Sequence, residues 1–185
     1  TGTFSINDFQ FNGIVSCAIP EAPILPNIVL ACSATSFDVN WSSSSSASNY
    51  FIDIATDSDF KNYRAGYQNK ELGNVVLETI SGLVAGESYF VRLRSANSCA
   101  VSSDSNTIKV APPETIYNGT WSNGIPDRNK KVRFSSDYNI VSTLEACSCQ
   151  IDPNIAVHVD SGATLTVENG LSIASTATLT FENNA

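Results

Sequence analysis

The chain has 185 residues, 42% of them apolar, with 18 acidic side chains against 10 basic ones and a formal net charge of −8. That is room for one domain of average size or two small ones. No apolar run approaches the ~18 residues of a membrane helix, and the acidic balance argues against nucleic acid or anionic membrane as a partner, because both need clustered cations.

Methionine is absent, and Thr1 opens a stretch with no basic-then-apolar leader. The expectation is a processed product or an excised piece of a longer chain. Residues 1–16, TGTFSINDFQFNGIVS, alternate Phe4, Ile6, Phe9 and Phe11 around an Asn-Asp step. Two readings stay open for 1–17. One is the closing strand of a preceding domain, similar to that of a jelly-roll module; the other is an N-terminal strand laid on the domain that follows. Residues 18–27, AIPEAPILPN, carry three prolines, which block helix and prefer extended chain, so they read as a linker entering strand A at Ile28–Ala31.

Three period-2 runs follow: Phe37, Val39 and Trp41; Tyr50, Ile52 and Ile54; Tyr89, Val91 and Leu93. Such runs, separated by Ser-, Asn- and Gly-rich breaks, predict antiparallel strands with one buried face. Strand B is placed at Ser36–Trp41, C at Tyr50–Ala55, a short C′ at Ala65–Gln68, E at Val75–Ile80, F at Tyr89–Ala96 and G at Asn106–Val110. Pro112-Pro113 reads as the boundary, which makes 18–112 one domain and 113–185 another.

Within 81–97, SGLVAGESYFVRLRSAN, Leu83 precedes Tyr89 by six residues. That spacing resembles the tyrosine corner of a β-sandwich. With Trp41 ending strand B, the stretch resembles a fibronectin type III domain. The resemblance implies structural roles for Trp41, Leu83 and Tyr89, and a Tyr89 hydroxyl bonded to backbone in the 83–87 turn.

Beyond Pro113 the texture changes. SGATLTVENG (161–170) returns as STATLTFENN (175–184), a shift of 14 residues, with Leu165/Leu179 and Glu168/Glu182 in register. Val157/Val159 map likewise onto Leu171/Ile173. Short alternating strands with Asn/Gly corners predict the start of a β-solenoid of the parallel β-helix kind, though two copies leave the strands per coil open. A small second sandwich of hairpins is the alternative, since Asn-Gly also marks hairpins. The fold class expected is therefore all-β, a fibronectin type III-like sandwich leading into a β-solenoid. The run NGTWSNGIPDRNKKVRF, then ACSCQI and the two repeats, together with DIATDSDF, resembles modules of large secreted or surface proteins of the Bacteroidota exported by type IX secretion. The resemblance covers residues from about 20 onward. It implies a secreted or cell-surface location.

Candidate chemistry is sparse. Asp53, Asp57 and Asp59 could gather around Ca²⁺, which takes six to eight oxygens, but the Gly and distal Glu of an EF-hand are missing and Asp53 should point off strand C, away from the turn. A solvated turn is favoured. His158 sits between Val157 and Val159, so it should face outward as a solvent-facing rung residue rather than a catalytic base. Cys147-Ser-Cys149 lacks zinc-site company. No Gly-rich phosphate loop, HExxH or GxSxG is present. Asn40-Trp-Ser42 and Asn118-Gly-Thr120 fit the glycosylation pattern without an expected use. Tyr117, Trp121 and Tyr138 could stack on a sugar. Capping of the open solenoid end by Trp121 is favoured over that.

Five cysteines suit an oxidising compartment, and their odd number leaves at least one without an intrachain partner. In a fibronectin-type topology the start of strand A and the F–G loop share a pole, while Cys32 lies by the A–B turn, nearer the solenoid. That resemblance implies Cys17–Cys99, with Cys32–Cys99 as the alternative. Cys147 and Cys149 are read as sharing one face of one strand, too strained to bond each other. At the end of the chain Leu179 and Phe181 should face inward beneath a further rung beyond Ala185.

The function expected is non-enzymatic, a spacer and stalk in adhesion or display, with no cofactor. Its expected partners are other domains of the same longer chain and cell-surface or extracellular proteins or glycans, without membrane insertion. Two alternatives stay open: an accessory region of a secreted hydrolase whose catalytic domain lies N-terminal to Thr1, and a carbohydrate-binding module.

Overall fold

The structure is a computed structural model that describes residues 18–182. Every regular element among the described residues is a β-strand. They fall into two groups with separate cores.

In the first group, β1 (Ser36–Asn40) pairs antiparallel with β4 (Leu77–Ser81). Facing this pair, β3 (Lys70–Gly73), β2 (Asn49–Ala55), β5 (Tyr89–Ala96) and β6 (Ile108–Val110) form an antiparallel sheet in that order. The alternation seen in the sequence is the reason: Phe37, Val39 and Ile80 from one sheet meet Tyr50, Ile52, Ile54, Val91 and Leu93 from the other, with Trp41 and Leu83 in the same core. Strands B–E against C′–C–F–G is the fibronectin type III arrangement.

Tyr89 is buried, and its hydroxyl accepts the N–H of Val84 at 2.9 Å in the β4–β5 turn. Tyr89→Phe leaves that N–H unpaired beside a buried ring, so a loss of about 1 kcal/mol is expected in urea unfolding. An unchanged midpoint would show that water replaces the phenol freely.

Two strand placements are corrected. Ala65–Gln68 is a turn rather than strand C′: Gly66 takes a positive φ, and the Tyr67 N–H donates to Arg64 O at 2.9 Å. The strand starts later because the Asp53 carboxylate accepts the Asn69 N–H at 2.6 Å and fixes where pairing begins. Strand A shrinks to one parallel bridge, Val29 to Ala111. Pro20, Pro23 and Pro26 lie before that strand, in the linker, where they supply no N–H for a ladder. The linker is held by side chains instead: Asn106 grips both backbone groups of Leu25, accepting from its N–H at 2.8 Å and donating to its carbonyl at 2.9 Å. Asn106 is thereby outside the last strand, which starts at Ile108.

The second group comprises β7 (Glu114–Tyr117), β8 (Lys131–Phe134), β9 (Tyr138–Ile140), β10 (Thr143–Ile151), β11 (Ala156–Val159), β12 (Thr164–Ile173) and β13 (Thr178–Phe181). They form two sheets, β12-β10-β8-β7 and β13-β11-β9, in which every pairing is parallel. This is solenoid stacking, and the hairpin alternative is excluded, since hairpins pair antiparallel.

Apolar columns run through the stack. Tyr117, Phe134, Ile151 and Ile173 are successive partners in one, and Ile140, Val159 and Phe181 in another. Phe134, Ile151, Ile140 and Val159 are almost fully buried, whereas Ile173 and Phe181 on the last described coil are 42% and 60% exposed. Leu179 stacks on Val157 and is half-buried. The inward placement expected for Phe181 therefore holds as a position in a column, not as burial.

The 14-residue repeat is not the coil. Thr143 stacks on Thr164, 21 residues on, and Ser148 on Gly170, 22 residues on. Leu165 belongs to β12 and Leu179 to β13, which lie in different sheets. The two copies are thus two sides of the same coil, alike because both must present apolar residues to one interior.

Candidate functional site: the junction between sandwich and solenoid

β6 ends at Val110 and β7 begins at Glu114, so three residues, Ala111-Pro112-Pro113, connect the groups. Two prolines leave that link little freedom. A second connection lies far away in sequence. Cys32, beside the turn before β1, is disulfide-bonded to Cys147 in β10, with Cα atoms 5.5 Å apart and a sequence separation of 115.

The local reason for Cys147 is a bulge. Ala146 pairs with Val167 and Ser148 with Gly170, so the single residue Cys147 opposes the two residues Glu168 and Asn169. An extra residue breaks alternation and re-aims side chains. Leu144, Ala146, Cys149 and Ile151 enter the solenoid core, and Cys147 is freed to bond the sandwich. The reading that Cys147 and Cys149 share a face is corrected by the break in β10's alternation at the bulge, since Cys149 enters the solenoid core while Cys147 bonds Cys32. Cys149 is a free thiol, and burial pushes it up to about 12, so it stays protonated and unreactive.

Asn169, on the other side of the bulge, seals the contact. Its amide donates to Cys147 O at 3.2 Å and lies against the sulfurs of both bridged cysteines. The β4–β5 turn presses on it from the sandwich: a Cβ on Gly86 would meet the Asn169 side chain at 3.0 Å, and Gly86 has a φ of 78°. Glycine suits this position on both counts. Arg128 borders the same seam, bonded to Glu145 by two donors at 2.6 and 2.9 Å, with Glu168 3.9 Å away. The Glu145 carboxyl is held below its usual range by that guanidinium.

The disulfide expectations resolve in part. Cys32–Cys99 is excluded, because Cys32 is bonded to Cys147. Cys99 is disulfide-bonded, and Cys17, its expected partner, lies outside the described residues.

The three aspartates do not converge. Asp53 is buried on the sheet, where its carboxylate accepts from Arg92 at 2.9 Å and Arg94 at 3.0 Å as well as from Asn69. It does not project away from the following turn, as expected, but anchors it. Arg92 also stacks on Phe60 at 4.1 Å. Asp57 accepts the N–H groups of Asp59, Lys61 and Asn62, and the bonds from Lys61 and Asn62 hold its carboxyl below the usual range. Asp59 pairs with Lys61. Among the described residues no group of three or more His, Cys, Asp or Glu side chains is placed to hold a metal.

His158 lies on the outside of its rung, Nδ1 2.8 Å from the hydroxyl of Thr180 on the next coil. Trp121 packs edge-on against Phe134 at 5.7 Å and near Tyr138 and Tyr117 at 5.4 and 5.0 Å. The three aromatics considered for sugar stacking are thus folded onto one another over the first coil, as a cap.

No family model matches the chain, and no curated protein matches it. Among solved structures, the crystal structure of FN3tt is similar at 18% identity over 51% of this chain and 95% of that one, with a TM-score of 0.41. An Fn3-like protein from Clostridium thermocellum is similar at 18% identity over 50% of this chain and 90% of that one, TM-score 0.38. A beta-1,2-glucanase from Parabacteroides distasonis matches at 16% identity over 51% of this chain and 13% of its own, TM-score 0.40. The fold assignment rests on the strand order and core described above.

Proposed function

We propose that this chain is a rigid, non-enzymatic spacer and stalk in a multidomain protein that is secreted or displayed at the cell surface, with 18–112 and 113–185 as its two units. The supporting observation is the doubly connected junction. Two domains joined by a single linker move relative to each other by default. Here a two-proline link and a disulfide tie the same two bodies together, with Asn169 and Gly86 in contact between them. A spacer needs such fixed geometry, whereas a mobile linker would serve a domain that must search for substrate. The bridge also favours an oxidising location. The likeness to Bacteroidota surface proteins points the same way, and other domains of a longer chain are the partners this role requires.

Residual dipolar couplings test the reading. One alignment tensor should fit amides of both β5 and β10. Two independent tensors would remove the rigid spacer. A glycan array is expected to stay blank, and a specific, saturable sugar signal would favour the carbohydrate-binding module instead.

A further inference from the structure

The Cys32–Cys147 bridge does more than fix an angle. We infer that it is a tension clamp that takes the sandwich out of the load path, an inference that rests on the spacer reading. A chain pulled from its two ends transmits force along its shortest covalent route. At Cys32 that route leaves the backbone, crosses two sulfurs and rejoins it at Cys147, where the Cα atoms are 5.5 Å apart. The residues between them, over a sequence separation of 115, form a closed loop. Fully drawn out, that loop would span about 400 Å at roughly 3.4 Å per residue.

What the loop contains gives the clamp its use. All six sandwich strands, β1 to β6, lie inside it, as do β7, β8, β9 and the first half of β10. Antiparallel ladders such as β1–β4 and β5–β6 are held by hydrogen bonds and packing, which yield far more readily than a covalent bond. Outside the loop on the N-terminal side, residues 18–31 hold three prolines and little slack. Without the bridge, the route from Cys32 to Cys147 would run through the sandwich and the first coils, apart from the part that the separate bond at Cys99 closes off. With it, the sandwich sits beside the load as a side loop, and the junction cannot open. Both cysteines are buried, at 4% and 0% exposure, which shields the bridge from reductants in solution.

Single-molecule pulling of the full 1–185 chain through handles at its two ends tests this. The oxidised protein should reach its final contour length short by most of the ~400 Å loop. The same molecules in reductant should gain it. The Cys32→Ala/Cys147→Ala variant, pulled without reductant, should extend further than wild type while keeping the bond at Cys99. Equal contour lengths for oxidised and reduced wild type would overturn the clamp, as would non-reducing peptide mapping without a Cys32–Cys147 peptide. Reductant also opens the bond at Cys99, so the variant isolates the clamp; if the variant folds poorly, an oxidised wild type longer than the Cys32–Cys147 loop allows overturns it. A failed clamp would leave the spacer standing, because that reading is decided by the alignment tensors and the glycan array.

Discussion

Cys32→Ala/Cys147→Ala is expected to lower stability against urea by about 4–5 kcal/mol relative to the oxidised wild type. The magnitude follows from loop length. Closing a chain restricts the unfolded ensemble, the restriction grows slowly with the number of residues enclosed, and here the separation is 115. Alanine is the right replacement because both sulfurs are buried, and a serine hydroxyl there would add an unpaired polar group. The two tryptophans report separately: Trp41 lies in the sandwich core and Trp121 on the solenoid cap. In the wild type the two signals should shift together, since neither body can leave the other. In the variant they should separate into two transitions. A loss below about 1 kcal/mol, with the transitions still superimposed, would mean that the three-residue link and the Asn169 contact already hold the joint, and that the bridge is redundant at equilibrium.

The sandwich was legible because one physical rule governs it. A strand with one wet face must alternate, and Phe37-Val39-Trp41 and Tyr89-Val91-Leu93 do so. Where a distant group decides, local reading fails. Strand C′ was placed at Ala65–Gln68, but the buried Asp53 carboxylate, 16 residues before Asn69, sets its start. Ile28–Ala31 reads as a strand, yet it makes only the Val29–Ala111 bridge, and the Pro-rich stretch before it is held by Asn106 on Leu25. The solenoid was visible through its repeat, and its coil length was hidden by the same repeat, because both copies sit on one coil. The junction was the least legible part. Nothing near Cys147 announces a bulge, since Ala146, Cys147 and Cys149 are all small and apolar in sequence. The extra residue is defined only by the neighbouring coil, where Glu168 and Asn169 stand opposite. The pairing with Cys32 follows from how two bodies dock, which local periodicity does not encode. Gly86 was the one available hint: a glycine in the turn before Tyr89 marks a close approach, but not what approaches.

The junction also explains why the solenoid begins where it does. A first coil has an exposed apolar end, and such ends need a cover. Tyr117 and Trp121 supply it over Phe134 and Tyr138, while the sandwich is bonded to the side of the stack at Cys147 rather than set on its end. Cap and clamp are thus separate devices, and each can be removed without the other.

Phe134→Ala tests the cap and the columns together, with an expected loss of about 3–5 kcal/mol in the transition followed by Trp121 fluorescence. Phe134 is fully buried. Its ring stacks on Tyr138 at 5.4 Å and meets the edge of Trp121 at 5.7 Å, and along its column it lies between Tyr117 and Ile151. Truncation removes a large apolar side chain and leaves a cavity that parallel strands on both sides cannot close, because their spacing is fixed by backbone hydrogen bonds. The rings above it also lose their support, so Trp121 emission should shift red in the folded state. The control lies at the other end of the same column. Ile173 is 42% exposed, and Ile173→Ala should cost roughly 1 kcal/mol or less, since little of that side chain is removed from water and no closed cavity forms. The ratio between the two sites is the test. Similar small losses at both would show that the interior of the stack is loose and that the columns do not carry its stability. Similar large losses would show that Ile173 is covered in solution by something beyond its own coil.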